Sequence, residues 1–176
     1  MGAPGGHTRS SAHAAWQPPW LGRRLCLRHR GHENSPKSSW VELWGDNRLR
    51  CHLPHIDRHL GDRLEQLVRR LGDFLPDRPP SALLHGDLWG GNILFNDVII
   101  SGLIDPAAYY GHREVDLAML SLFDNPPVAF YEACGLKEGW RGRRPIYRLW
   151  PLLVHARLFG DSYVRKASAC LGEIGF

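Results

Sequence analysis

Apolar residues recur at helical spacing most clearly at Ile56, Leu60, Leu64, Leu67, Val68 and Leu71, with charged residues between them. Pro54 stands before the first turn and Pro76 follows Leu75, so the spacing predicts a helix over 55–74 with one face on a core. Upstream, Ser39 and Glu42 open the apolar run Trp40-Val41-Glu42-Leu43-Trp44, the pattern of a capping box. A short helix is expected near 21–27, and the polar stretch 28–37 reads as loop. After Ser81 the period changes. Ala82-Leu83-Leu84 predicts a short buried strand. Ile93-Leu94-Phe95 and Val98-Ile99-Ile100 flank Asn96-Asp97, a pair suited to a tight hairpin turn, and Leu103-Ile104 continues the second strand or follows a small bulge at Gly102. From Glu114 to Phe123 the chain is apolar nearly all round, which predicts a buried helix. Two more helices are expected near 128–134 and 140–159, followed by a frayed C-terminus.

Composition narrows the class. The 176 residues suit about one domain, with 43% hydrophobic and 23% charged positions. Cys26, Cys51, Cys134 and Cys170 form no C-x-x-C pair, a spacing that favours reduced thiols in a cytoplasmic protein. No apolar run reaches the roughly 20 residues of a membrane span. Residues 1–50 hold 8 Lys/Arg against 3 Asp/Glu, so the positive excess sits at the N-terminus. It forms no stripe interleaved with aromatics, and nucleic acid is not an expected partner. His52, His55 and His59 lack the Glu of H-E-x-x-H, which argues against zinc. The Arg141, Arg143, Arg144 cluster reads first as a solvated helix start.

Chemistry concentrates in His85-Gly86-Asp87-Leu88-Trp89-Gly90-Gly91-Asn92, bracketed by the predicted strands, with Asp105 eighteen residues after Asp87. Phosphoryl transfer to a hydroxyl needs one carboxylate to orient the acceptor and take its proton, and oxygen ligands to hold Mg²⁺ against the phosphates of ATP. Asp87 is the candidate base, and Asn92 and Asp105 are the candidate Mg²⁺ ligands. His85 is expected to brace the loop by hydrogen bonding. The segment matches the protein-kinase loop H-R-D-L-x-x-x-N, with Gly86 in the place of Arg.

Three stretches, HGDLWGGN, IDPAAYYGHREVDLAML and LLVHARLFGDSYV, resemble the fructosamine kinase (ketosamine 3-kinase) family over about residues 39–166. The resemblance implies an α+β, protein-kinase-like C-terminal lobe, mostly helical, with a small β-hairpin insert carrying the catalytic loop. It implies transfer of the ATP γ-phosphoryl group to the 3-hydroxyl of a ketosamine, on a small amine or a glycated protein lysine. It also implies that Asp116 supports the loop through backbone N–H groups and that Trp89 lines the sugar site.

The upstream sequence departs from that pattern. A kinase N-terminal lobe supplies a loop over the phosphates and a strand lysine. Gly2-Ala3-Pro4-Gly5-Gly6 is interrupted by proline, and the first lysine, Lys37, stands in a polar loop. The expected organisation is a poorly ordered leader and loop over 1–38 and a catalytic lobe over 39–176, with the N-terminal lobe missing and self-association through the exposed lobe surface. Alternative readings are an aminoglycoside- or choline-type kinase of the same fold, or a non-catalytic lobe fragment.

Overall fold

The computed structural model describes residues 37–176, together with two short strands before them, Leu25–Leu27 (β1) and Arg30–His32 (β2). These pair antiparallel with Cys26 opposite Gly31, where a helix over 21–27 and a loop over 28–37 were expected. A helix that short would leave most of its backbone groups without partners, and a ladder pairs some of them. Residues 1–24, 28–29 and 33–36 of the expected leader and loop lie outside the described residues.

Trp40–Trp44 (α1) starts on Ser39, whose hydroxyl accepts from the Glu42 amide at 3.1 Å. The Glu42 carboxylate turns back to the Ser38 amide and hydroxyl, one residue earlier than a capping box would place it. The chain then widens for one π-type turn, Gly45–Leu49, and tightens into a 3-10 turn, Arg50–His55, that contains Pro54. Ile56 is extended, and Asp57 accepts from the Leu60 amide at 3.0 Å, so α2 runs Arg58–Arg69. The helix expected over 55–74 is therefore trimmed at both ends. Asp57 supplies the N-cap, and past Arg70 the backbone tightens into the 3-10 turn Leu71–Asp73. Its apolar face is buried as the periodicity requires.

Four further strands follow: Ser81–Leu84 (β3), Ile93–Asn96 (β4), Ile99–Leu103 (β5) and Tyr109–His112 (β6). β4 and β5 form the expected hairpin, but it turns at Asp97-Val98, one residue later than the expected Asn96-Asp97, with Asp97 at φ 56°. The bulge falls at Ser101, beside Gly102, where Leu94 pairs with Gly102 and Phe95 with Ile100. β3 pairs antiparallel with β6, from Ser81 opposite His112 to Leu84 opposite Tyr109. It buries Leu84 and leaves Leu83 exposed, so the strand is half-buried rather than buried.

The remaining helices are Glu114–Phe123 (α3), Val128–Ala133 (α4), Trp140–Phe159 (α5) and Asp161–Ile174 (α6). The C-terminus is a packed helix, not a frayed one. Ala167, Cys170 and Leu171 of α6 are buried, and Arg63 of α2 donates to the carbonyls of Ser168 and Phe176 at 2.9 and 2.7 Å. Cations suit the carbonyl end of a helix. The core joins α1, α2, α5 and α6, with Trp44 and Tyr147 packed edge to face at 4.8 Å. Arg48 is wholly buried, its guanidinium 5.1 Å from the Tyr109 ring centre and 5.0 Å from that of Trp150. Burial pulls the Arg48 pKa down and pushes Tyr109 up to about 12. No helix among the described residues is long and apolar enough to cross a membrane.

Candidate active site

The loop from β3 to β4 is assembled by hydrogen bonds to two distant elements, α3 and the end of β5. Its first two amides, His85 and Gly86, donate to the two carboxylate oxygens of Asp116 on α3, at 2.7 and 2.8 Å. Burial holds the Asp116 carboxyl above its ordinary range, against the pull of those two amides. Gly86 is required by geometry: its φ is +80°, and a Cβ there would stand 2.2 Å from the Ala107 carbonyl oxygen. Further along, the Gly90 amide donates to Asp124 Oδ2 at 2.8 Å, at the end of α3.

Asp87 and Asn92 meet across this loop. Asn92 Nδ2 donates to the Asp87 carbonyl oxygen at 2.8 Å and lies 3.3 Å from Asp87 Oδ2. A carbonyl only accepts, so the NH₂ side of the amide must face Asp87 and the Asn92 Oδ1 must face away. The Asn92 side chain is buried, so the orientation is fixed by its surroundings.

The β5 end of the hairpin is tied to the same loop through one residue, Ile104. Its amide donates to the Asn92 carbonyl at 3.0 Å, and its carbonyl accepts from His85 Nε2 at 2.9 Å. Nε2 must carry the proton in that bond, while the buried Nδ1 has no partner among the described residues. Asp105 follows directly, at φ 52°, a left-handed conformation that Asp tolerates better than most residues. Its side chain is exposed and has no hydrogen bond or ion pair with any described residue. The structure thus brings His85, Asp87 and Asn92 together, ties Asp116 to the loop backbone, and sets the main chain of Asp105 beside them.

Asp87 and Trp89 open onto a cavity of about 290 Å³. Trp89 is 40% exposed; its ring covers Gly91, where a Cβ would stand 2.2 Å from a ring carbon, and lies 6.3 Å from Phe123. Met119, His155, Phe159 and Tyr163 complete much of the wall. The sequence reading passed over these residues and Asp124. Asp124 did leave a signal: a carboxylate at a helix C-terminus opposes the macrodipole, so it needs another partner, here the Gly90 amide. The arrangement is a carboxylate at the mouth of a largely apolar cavity, next to an amide oxygen and an uncommitted carboxylate. Those groups suit proton transfer from a hydroxyl and coordination of a hard cation.

Comparison with known proteins gives a concordant picture. The family model described as fructosamine kinase matches residues 26–174. A probable ketoamine kinase of Synechocystis is 36% identical over 145 residues, which are 77% of this chain and 48% of that protein. The mouse protein named ketosamine-3-kinase is 34% identical over 142 residues, covering 74% of this chain and 45% of that one. A solved structure from Thermobifida fusca, a candidate fructosamine-3-kinase, superposes with a TM-score of 0.78 at 35% identity, covering 86% of this chain and 56% of the other. The chain spans about half the length of the curated relatives it matches.

Proposed function

This chain belongs to the fructosamine kinase family, and on that premise we propose that residues 39–176 form the catalytic lobe of an ATP-dependent ketosamine 3-kinase. The observation that supports this most is the tie between Asp87 and Asn92, with Asp105 set beside them by Ile104. Asp87 accepts the proton of the acceptor hydroxyl as that oxygen bonds to the γ-phosphorus of ATP and the bond to the ADP oxygen breaks. The acceptor is the 3-hydroxyl of a fructosamine or ribulosamine, on a protein lysine or a small amine, with Trp89 offering its ring to the sugar. His85 and Asp116 hold the loop backbone in place.

The donor set fits Mg²⁺. Asn92 Oδ1 and the Asp105 carboxylate are hard oxygen donors, and no group of three His, Cys, Asp or Glu forms a closed cage among the described residues. Mg²⁺ characteristically takes one or two protein oxygens and the rest from phosphates and water. When bound, it supplies charge neutralisation on the transferring phosphates. The phosphate-covering loop and strand lysine of a kinase N-terminal lobe are not found in residues 39–176, so this span is assigned to the catalytic lobe alone. The apolar side chains exposed on the β4–β5 hairpin are the surface through which a second copy of the chain would associate.

The test is calorimetric titration of Mg-ATP into the purified chain, followed by transfer to a glycated lysine peptide. Asp105→Asn should weaken Mg-ATP binding by roughly tenfold or more, and an unchanged Mg²⁺ dependence removes Asp105 from the metal site. Asp87→Ala should lower transfer by about 10²–10⁴-fold with the fold intact, and equal activity would sink Asp87 as the base. A chain that neither binds Mg-ATP nor transfers phosphate would confine the kinase reading to the longer relatives.

A further inference from the structure

A second cavity, of about 310 Å³, lies between the end of α3, helix α4 and the first half of α5. Ser121 and Asn125 line it on one side, and Arg141, Arg144 and Arg148 on the other. The three arginines are spaced by three and four residues, so they share one stripe of α5, a spacing at which like charges repel. Glu173, which does not line the cavity, offsets Arg148 only in part. No Asp or Glu is among the described residues that line the cavity, and none of the three arginines forms an ion pair with a described residue. Arg143 shows the contrast: it turns away from the stripe and grips Glu114 with two bonds of 2.8 and 2.7 Å.

The guanidiniums are nonetheless held in place. Tyr131 and Trp140 stack on each other with ring centres 4.9 Å apart. Arg141 lies 4.8 Å and Arg144 5.4 Å from the Trp140 ring centre. Arg148 is anchored on Ser121, donating from Nε to its hydroxyl at 3.0 Å and from Nη2 to its carbonyl at 2.6 Å. Arg144 Nε is buried without a hydrogen-bond partner among the described residues. Burial, and then the Arg144 charge, lower the Arg148 pKa against the pull of Glu173.

We propose that this cavity binds the dianionic phosphate group of a small molecule. Planar guanidinium forks match phosphate oxygens in geometry and in charge, and a dianion would relieve the repulsion along the stripe. The site shares no residue with the loop that carries Asp87, and its existence does not depend on the kinase reading.

The experiment is titration of the full 176-residue chain with inorganic phosphate, and separately with ribose 5-phosphate, in the absence of nucleotide and Mg²⁺. The expected result is saturable one-site binding that Arg144→Gln weakens by about tenfold or more. Arg141→Gln, on an exposed residue, should weaken it several-fold, and Arg165→Gln, outside the cavity, should leave it unchanged. Ribose 5-phosphate binding at least as tightly as phosphate marks an ester ligand, and binding of inorganic phosphate alone marks the free anion. Equal affinities in the wild type and both cavity variants, or no binding up to about 10 mM, would overturn the proposal.

Discussion

In the helical body Leu64, Leu67, Ile146, Leu149 and Leu153 expose no surface, whereas on the β4–β5 hairpin Val98 is 94% exposed and Phe95, Ile99 and Ile100 are each more than half exposed. Both regions are strongly apolar in sequence. The body is held by burial, which stabilises in proportion to the apolar area removed from water. The hairpin has little of that. It is fixed by its own ladder and by Ile104, whose amide and carbonyl are bonded to Asn92 and His85. The region that carries the candidate site is therefore positioned by polar ties, and the region behind it by packing.

Substitution should separate the two modes. The largest effect is expected in the body. Leu149→Ala removes a fully buried side chain and should cost about 2–5 kcal/mol in denaturant unfolding, while hydrogen exchange at the His85 and Gly86 amides changes only as global stability does. Next comes the loop. Asp116→Ala leaves two partly buried amides without their acceptor, at a cost of about 1–3 kcal/mol. Its distinguishing mark is selective acceleration of exchange at His85 and Gly86. Uniform acceleration in both variants would mean that loop and body open as one unit, and the contrast would fail.

The same division explains what the sequence disclosed. The buried face of α2 was legible because local periodicity records which side of a helix meets the core. Helix α3, apolar nearly all round, is buried only in part, with Leu117 and Leu122 half-buried and Phe123 exposed. The grouping of His85, Asp87 and Asn92 was legible because they fall within one short stretch of the chain. β6 was not: Tyr-Tyr-Gly-His has no alternating pattern, and its partner β3 lies more than twenty residues away. The ordered C-terminal helix was hidden for the same reason, since Arg63 secures its end from across 105 and 113 residues of sequence. Nor could spacing show that His155, Phe159 and Tyr163, at helical intervals on α5 and α6, would face Trp89 across a cavity. What the chain writes locally can be read locally. Pairings closed over long loops cannot.

A smaller effect sharpens the account of the body, which buries a titratable ring as well as apolar surface. Trp40 Nε1 donates to the Tyr147 hydroxyl at 3.0 Å, leaving that hydroxyl's proton for His112 Nδ1 at 2.8 Å. Burial, opposed by Glu114, holds the His112 pKa below its ordinary value. The folded state thus resists a proton that the unfolded chain takes up near pH 6.5. This contribution is complete above that pH and is lost as the pH falls through it towards the depressed folded value, with a limiting slope of about 1.4 kcal/mol per pH unit. His112→Asn should flatten the difference in stability between pH 7 and pH 5.5 relative to wild type. Parallel pH profiles would mean that His112 takes up its proton as readily folded as unfolded.

The smallest effect on stability is expected on the hairpin, and it is the one that most directly breaks the comparison. Val98→Thr keeps a β-branched side chain at a turn position that is almost wholly exposed. In dilute protein it should change unfolding free energy by no more than about 0.5 kcal/mol. Adding Ile99→Thr should leave that result standing and reduce self-association at high concentration, measured by sedimentation velocity. A loss comparable to Leu149→Ala in dilute solution would show that the hairpin is covered in the working state of the chain. Burial would then hold both regions, and the polar ties at Ile104 would be secondary. A negligible loss with unchanged sedimentation would leave Ile104 as the anchor of the hairpin and remove these side chains as the surface of self-association.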